Sequence, residues 1–94
     1  MTRIRKQLPA YPGAGELHCR GFKGQVDYEI LGDPGGLRPG PARLRGSLSA
    51  TPEIAEQAFR DGDGELTLQT GETYRITMLG HSSGSGVAYF EMRA

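Results

Sequence analysis

Residues 51–62 read TPEIAEQAFRDG, the one stretch of the chain with the marks of a helix. The Thr51 hydroxyl can cap the first turn, and Pro52 suits the first helical position, where a missing N–H costs nothing. Glu53 favours the positive end of the helix dipole. Ile54, Ala55, Ala58 and Phe59 fall on one face, while Glu56 and Arg60 can pair four residues apart on another. Gly62 is a ready stop. About ten residues are too few to hold a helix alone, so Ile54 and Phe59 are expected to dock it on a sheet.

On both sides of this helix the period changes to two. Downstream, Leu66 and Leu68 alternate with polar residues, a turn follows around Gly71, and Tyr74, Ile76 and Met78 share a face. A second turn over Gly80–Gly86 leads into a last strand, Val87–Met92. Val87 and Tyr89 lie on one side of it and Ala88, Phe90 and Met92 on the other. Both sides are apolar, so this strand is expected either to be central or to bury one face against a second chain. Upstream, Ala42, Leu44, Gly46 and Leu48 alternate with Arg43, Arg45, Ser47 and Ser49. Val26, Tyr28 and Ile30 mark another strand, with Leu17–Phe22 as its hairpin partner across Lys23-Gly24. Between them, seven of the ten residues Gly32–Pro41 are Gly or Pro, which allows neither helix nor central strand.

The expected order is β-β-β-α-β-β-β, and the expected fold is mostly β with one short helix, as a small curled sheet or barrel. In element order it resembles the OB-fold, which places a helix between its third and fourth strands; the strand count here exceeds the five of that fold. Residues 1–15, broken by Pro9, Pro12, Gly13 and Gly15, read as a flexible N-terminal arm. Residues 16–94 read as a single small β domain with a Gly/Pro-rich loop at 32–41.

Ninety-four residues support one modest core. Leu, Ile, Val and Phe number only 18, but eleven acidic residues balance eleven basic ones, so a folded domain is expected rather than a disordered chain. Met1–Gly15 has no apolar run for a secretory leader, and no stretch nears the ~20 apolar residues that span a bilayer. The lone Cys19 cannot form an internal disulfide, so a reducing, cytoplasmic setting is expected. Residues 1–50 carry a net charge of plus four and residues 51–94 minus four. Such asymmetry suits an anion-binding face or a self-complementary surface.

Gly80-His81-Ser82-Ser83-Gly84 matches a nucleophile-elbow pattern, but a strand rather than a helix follows it, and neither His18 nor His81 comes after Ser82. Asp61-Gly62-Asp63-Gly64 echoes a calcium loop, yet either register loses a required residue, so a helix stop and a polar turn are expected. Adjacent His18 and Cys19 point to opposite faces of a strand and do not share a metal. No cofactor or metal is expected, and no catalytic set stands out.

The first functional expectation is a non-catalytic binding or assembly module, a homo-oligomer joined through Val87, Tyr89, Phe90 and Met92. The alternative is a nucleic-acid or polyanion binder. It would use Arg20, Lys23, Arg43 and Arg45, with Tyr28 or Phe22 for stacking and Arg3, Arg5 and Lys6 of the arm on phosphates. A third possibility is a small hydrolase or ligand-binding protein using the 80–86 loop.

Overall fold

The structure, a computed structural model, describes residues 10–38, 40, 42–82 and 84–93. Its strands are β1 (Ala10–Cys19), β2 (Phe22–Leu31), β3 (Leu44–Ser49), β4 (Asp63–Thr67), β5 (Thr73–His81) and β6 (Val87–Arg93), with helix α1 (Pro52–Asp61) between β3 and β4. They close into an antiparallel barrel in the order β1-β2-β3-β6-β5-β4, with β4 returning to β1. In such a ring neighbouring strands alternate in direction, so the number must be even. A sixth strand is therefore what allows antiparallel closure, and here the chain parts from the five-stranded order it resembles. Closure also removes most of the exposed strand edges that invite aggregation.

β3 and β4 lie on opposite sides of this ring, so the chain between them must cross a barrel end. α1 makes that crossing and packs on β4, β5 and β6. The Thr51 hydroxyl accepts from the Ile54 amide at 3.3 Å, and Gly62, at φ 84°, ends the helix. Ala55 and Ala58 are fully buried and Ile54 partly so. Phe59 departs from expectation: it is 45% exposed and lies 6.1 Å from the His81 ring. The docked arc is centred on residues 54, 55 and 58, and Phe59 stands about 100° further round than Ala58. Two alanines let the helix come close, and a phenylalanine on that arc would hold it off.

The interior is formed by alternate residues of every strand, among them Leu17, Ile30, Leu48, Leu66, Ile76, Phe90 and Met92, all at most 2% exposed. Its register follows from volume. Across β1 and β2 three inward pairs, Gly13 with Tyr28, Gly15 with Val26 and Leu17 with Gly24, each set a glycine against a larger side chain, and Tyr11 with Ile30 and Cys19 with Phe22 flank them. A methyl group on Gly13 would run into the Tyr28 ring. Gly46 likewise sits between Ile30 and Phe90, and the phenyl ring fills the space it leaves.

This pairing corrects two sequence readings. The hairpin turns at Arg20-Gly21, with Cys19 opposite Phe22, rather than at Lys23-Gly24; this register makes ten pairs and sets Gly13, Gly15 and Gly24 opposite larger residues. Residues 10–15, assigned by sequence to the arm, are the first part of β1. Pro12 is tolerated there because the ladder to β2 does not use its nitrogen. Ala14, two residues on, donates to the Gln69 side chain on the far side of the strand, so Pro12 too faces away from β2. Residues 1–9, with Arg3, Arg5 and Lys6, lie outside the described residues.

The other barrel end is covered by the Gly/Pro-rich loop. Asp33 caps a 3-10 turn, Pro34–Gly36, by accepting from Gly35 N, so this stretch holds one short helical turn where none was expected. The Tyr74 hydroxyl donates to the Pro34 carbonyl at 3.1 Å and lies 3.1 Å from a Glu72 carboxylate oxygen. Burial, reinforced by Glu72, pushes that hydroxyl above the usual tyrosine range. Among the described residues no helix is long and apolar enough to cross a membrane.

Candidate functional site

The four basic residues singled out by sequence do not converge. Lys23, second in β2, pairs with His18, whereas Arg45 faces Leu31 at the other end of β2. Eight residues of strand separate these positions, roughly 26 Å. Lys23 lies 4.0 Å from Glu16. Arg43 is 3.7 Å from Glu91, and its Nη1 donates to the carbonyls of Gly40 and Ala42, so its charge is largely spent on holding the start of β3. Neither aromatic expected to stack bases stands over a basic strip. Tyr28 is inside the barrel, and Phe22 is half-buried against the core.

Arg20 finds different company. It lines an open groove of about 460 Å³ with His18, Asp63, Glu65, Arg75 and Arg93. Two of these arginines come from the acidic half of the sequence, so charge counted along the chain hid the grouping.

The expected interface residues divide by face. Phe90 and Met92 point into the barrel and are fully buried, as is Ala88, so they offer nothing to a partner. The reason is closure: β6 lies between β3 and β5, and its inward face completes the core. Val87 is half-buried, and Tyr89 is 47% exposed on the outer surface.

Tyr89 is the centre of an apolar group on that surface. Ser47 and Glu29 lie beside it in cross-strand register, and Arg45 and Leu31 form the next outer row. On its other flank the β5–β6 ladder shifts register between Met78 and Gly80, and Leu79 is the extra residue. Such a bulge re-aims a side chain. Leu79 is 48% exposed, while Gly80 leaves the flank of the Tyr89 ring uncovered. Together with Leu31, 43% exposed, these residues form a concave face of about 460 Å³, rimmed by Glu29 and Arg45. Among the described residues neither rim charge has an oppositely charged partner within 4.0 Å. Sequence reading found Tyr89 through its strand. It missed Leu79, because a bulge leaves no mark in a period-two pattern, and Leu31, which sits at the edge of the Gly/Pro-rich stretch.

The 80–86 segment is a tight hairpin between β5 and β6. Ser85 N donates to Ser82 O, the His81 ring nitrogen lies 3.2 Å from Ser85 O, and the Ser85 hydroxyl accepts from Val87 N. These side chains hold the turn. Ser83 lies outside the described residues. Asp61 and Asp63 are likewise in structural use: Asp61 accepts from the Gln57 amide at 2.9 Å, and Asp63 from the Thr77 hydroxyl at 3.2 Å. Cys19 is buried beneath the helix end. Desolvation, with a contribution from the Asp61 charge, raises its thiol to about 11, so it is a poor nucleophile.

Compared with known protein families, curated proteins and solved structures, the chain finds no match.

Proposed function

We propose that the chain is a non-catalytic assembly module that pairs with a second copy of itself through the outer face centred on Tyr89. The carrying observation is the grouping of Leu31, Leu79 and Tyr89, each close to half exposed, in one concave patch. Large apolar side chains scattered singly over a surface need no explanation, but a contiguous set rimmed by polar residues is the usual mark of an interaction site. Charge points to a second copy as the occupant. A two-fold interface brings the same patch from both copies together, so Arg45 of each copy can meet Glu29 of the other. The chain's zero net charge adds no long-range repulsion between copies.

The test is light-scattering mass across a hundredfold concentration range, with surface variants that leave the core untouched. A dimer is expected for the native chain and a monomer for Leu79→Asp and for Tyr89→Ser. Arg45→Glu alone should weaken the dimer, and adding Glu29→Arg should restore it. A native chain that stays monomeric at the highest concentration refutes the proposal. So does a dimer indifferent to Leu79→Asp and Tyr89→Ser.

A further inference from the structure

The groove around Arg20 belongs to a different part of the barrel and carries its own inference. Its outer row is set by register: His18 of β1 faces Glu65 of β4, Glu65 faces Arg75 of β5, and Arg75 faces Arg93 of β6. Arg20 reaches the same groove from the tip of the β1–β2 hairpin. Like charges directly opposite on neighbouring strands destabilise a sheet. Arg75 and Arg93 nonetheless stand in that relation, and Arg20 adds a third guanidinium. Among the described residues none of the three has a carboxylate within 4.0 Å, although Asp63 and Glu65 line the same groove. One Asp63 oxygen is already bonded to the Thr77 hydroxyl.

We propose that this groove binds a phosphoryl dianion, inorganic phosphate or a small phosphate monoester, with Arg75 and Arg93 as the principal donors and Arg20 as the third. Three observations select this chemistry. Guanidinium groups present planar forks of N–H donors that match the oxygens of a phosphoryl group. A dianion placed between facing arginines reverses their mutual repulsion, and it gains twice the Coulomb energy of a singly charged diester at the same position. Apart from the His18 imidazole, no aromatic ring is among the residues lining the groove, so it offers no succession of stacking platforms for the bases of a nucleic acid strand. Glu65, beside Arg75 in the row, opposes the ligand and sets a modest affinity.

The experiment is an NMR amide titration of the full chain at matched ionic strength, with inorganic phosphate, glycerol phosphate and a single-stranded oligonucleotide as separate probes. Saturable shifts confined to residues 18–20, 63–65, 75 and 93 are expected with phosphate or glycerol phosphate, and the tighter of the two identifies the source. Arg75→Ala and Arg93→Ala should each weaken binding, by up to about fivefold, the upper end for an exposed ion pair. Glu65→Gln should strengthen it, and Arg60→Ala, on the helix, should leave it unchanged. Arg75→Lys keeps the charge and loses the fork, so it should also weaken binding and stands in if the alanine variant fails to fold. Shifts that do not saturate, or that spread to arginines elsewhere, would mean an adventitious ion only and overturn the site. So would unchanged binding in Arg75→Ala and Arg93→Ala, or an oligonucleotide that binds more tightly per phosphate than glycerol phosphate.

Discussion

Gly46 and Phe90 give the sharpest test of how this barrel is packed. Gly46 faces the interior of β3 directly across from Phe90 of β6, which is fully buried. A methyl group built on Gly46 would stand 2.8 Å from the far atom of the Phe90 ring and 2.6 Å from the carbonyl oxygen of Glu29. Alanine at 46 therefore overpacks a closed site, at about 1–3 kcal/mol, less about 0.5–1 kcal/mol for leaving glycine in a strand interior. Phe90→Leu removes the ring edge that approaches Gly46 and should cost about 1–1.5 kcal/mol by itself. The two losses should not add. With the ring shortened, the new methyl group partly fills the space vacated, so the double variant should be about 1 kcal/mol more stable than the sum of the singles. The rescue stays incomplete because the Glu29 carbonyl belongs to the backbone and cannot swing away. Urea unfolding of the four proteins, followed by circular dichroism, measures the coupling, and an unchanged m-value confirms that the denatured state has not moved. A domain of this length holds about 5–14 kcal/mol in total, so all four should remain folded. Additivity within ~0.3–0.5 kcal/mol would refute the packing account, as would a Gly46→Ala that stabilises the fold.

Three further outcomes follow from single contacts. Cys19, with its thiol raised from 9.0 to about 11, keeps its proton in the fold while the unfolded chain loses it. Stability should therefore fall as pH rises from 9 towards 11, and Cys19→Ala should flatten that part of the urea-midpoint profile; identical slopes would show that Cys19 is not responsible. Thr51→Ala removes the helix cap and should cost about 0.5–1 kcal/mol, given the long 3.3 Å bond, whereas Thr51→Ser should be nearly neutral in thermal melts. Tyr28→Phe deletes the hydroxyl that accepts from Gln69 N at 3.1 Å and should cost about 1 kcal/mol in denaturant. No measurable loss there would mean that water replaces that bond freely.

Sequence reading succeeded where a local period carried the information. The inward faces Val26-Tyr28-Ile30, Leu66-Leu68 and Tyr74-Ile76-Met78 were all legible, because burial alternates along a strand whichever strand lies next to it. It failed where two distant segments had to be placed side by side. The candidate surface depends on Leu31, Leu79 and Tyr89 meeting across β2, β5 and β6, and the anion groove on Arg20, Arg75 and Arg93 meeting across a closed ring. Neither spacing nor composition encodes such meetings. Pro12 was read as a strand breaker for a related reason: whether its missing N–H matters depends on which side of β1 carries the ladder.

What the sequence by itself determined is the set of elements: a capped ten-residue helix, strands with one wet face, and their order along the chain. The physical reason is that capping, helical spacing and alternation are interactions between near neighbours. Only the tertiary structure decided that six strands close into a ring, that the last strand turns Phe90 and Met92 inward, and that the first hairpin folds at Arg20-Gly21. These choices rest on matching large side chains to glycines across strands and on an even strand number at closure. Both are properties of pairs far apart in the chain, and they exist only once the barrel has formed.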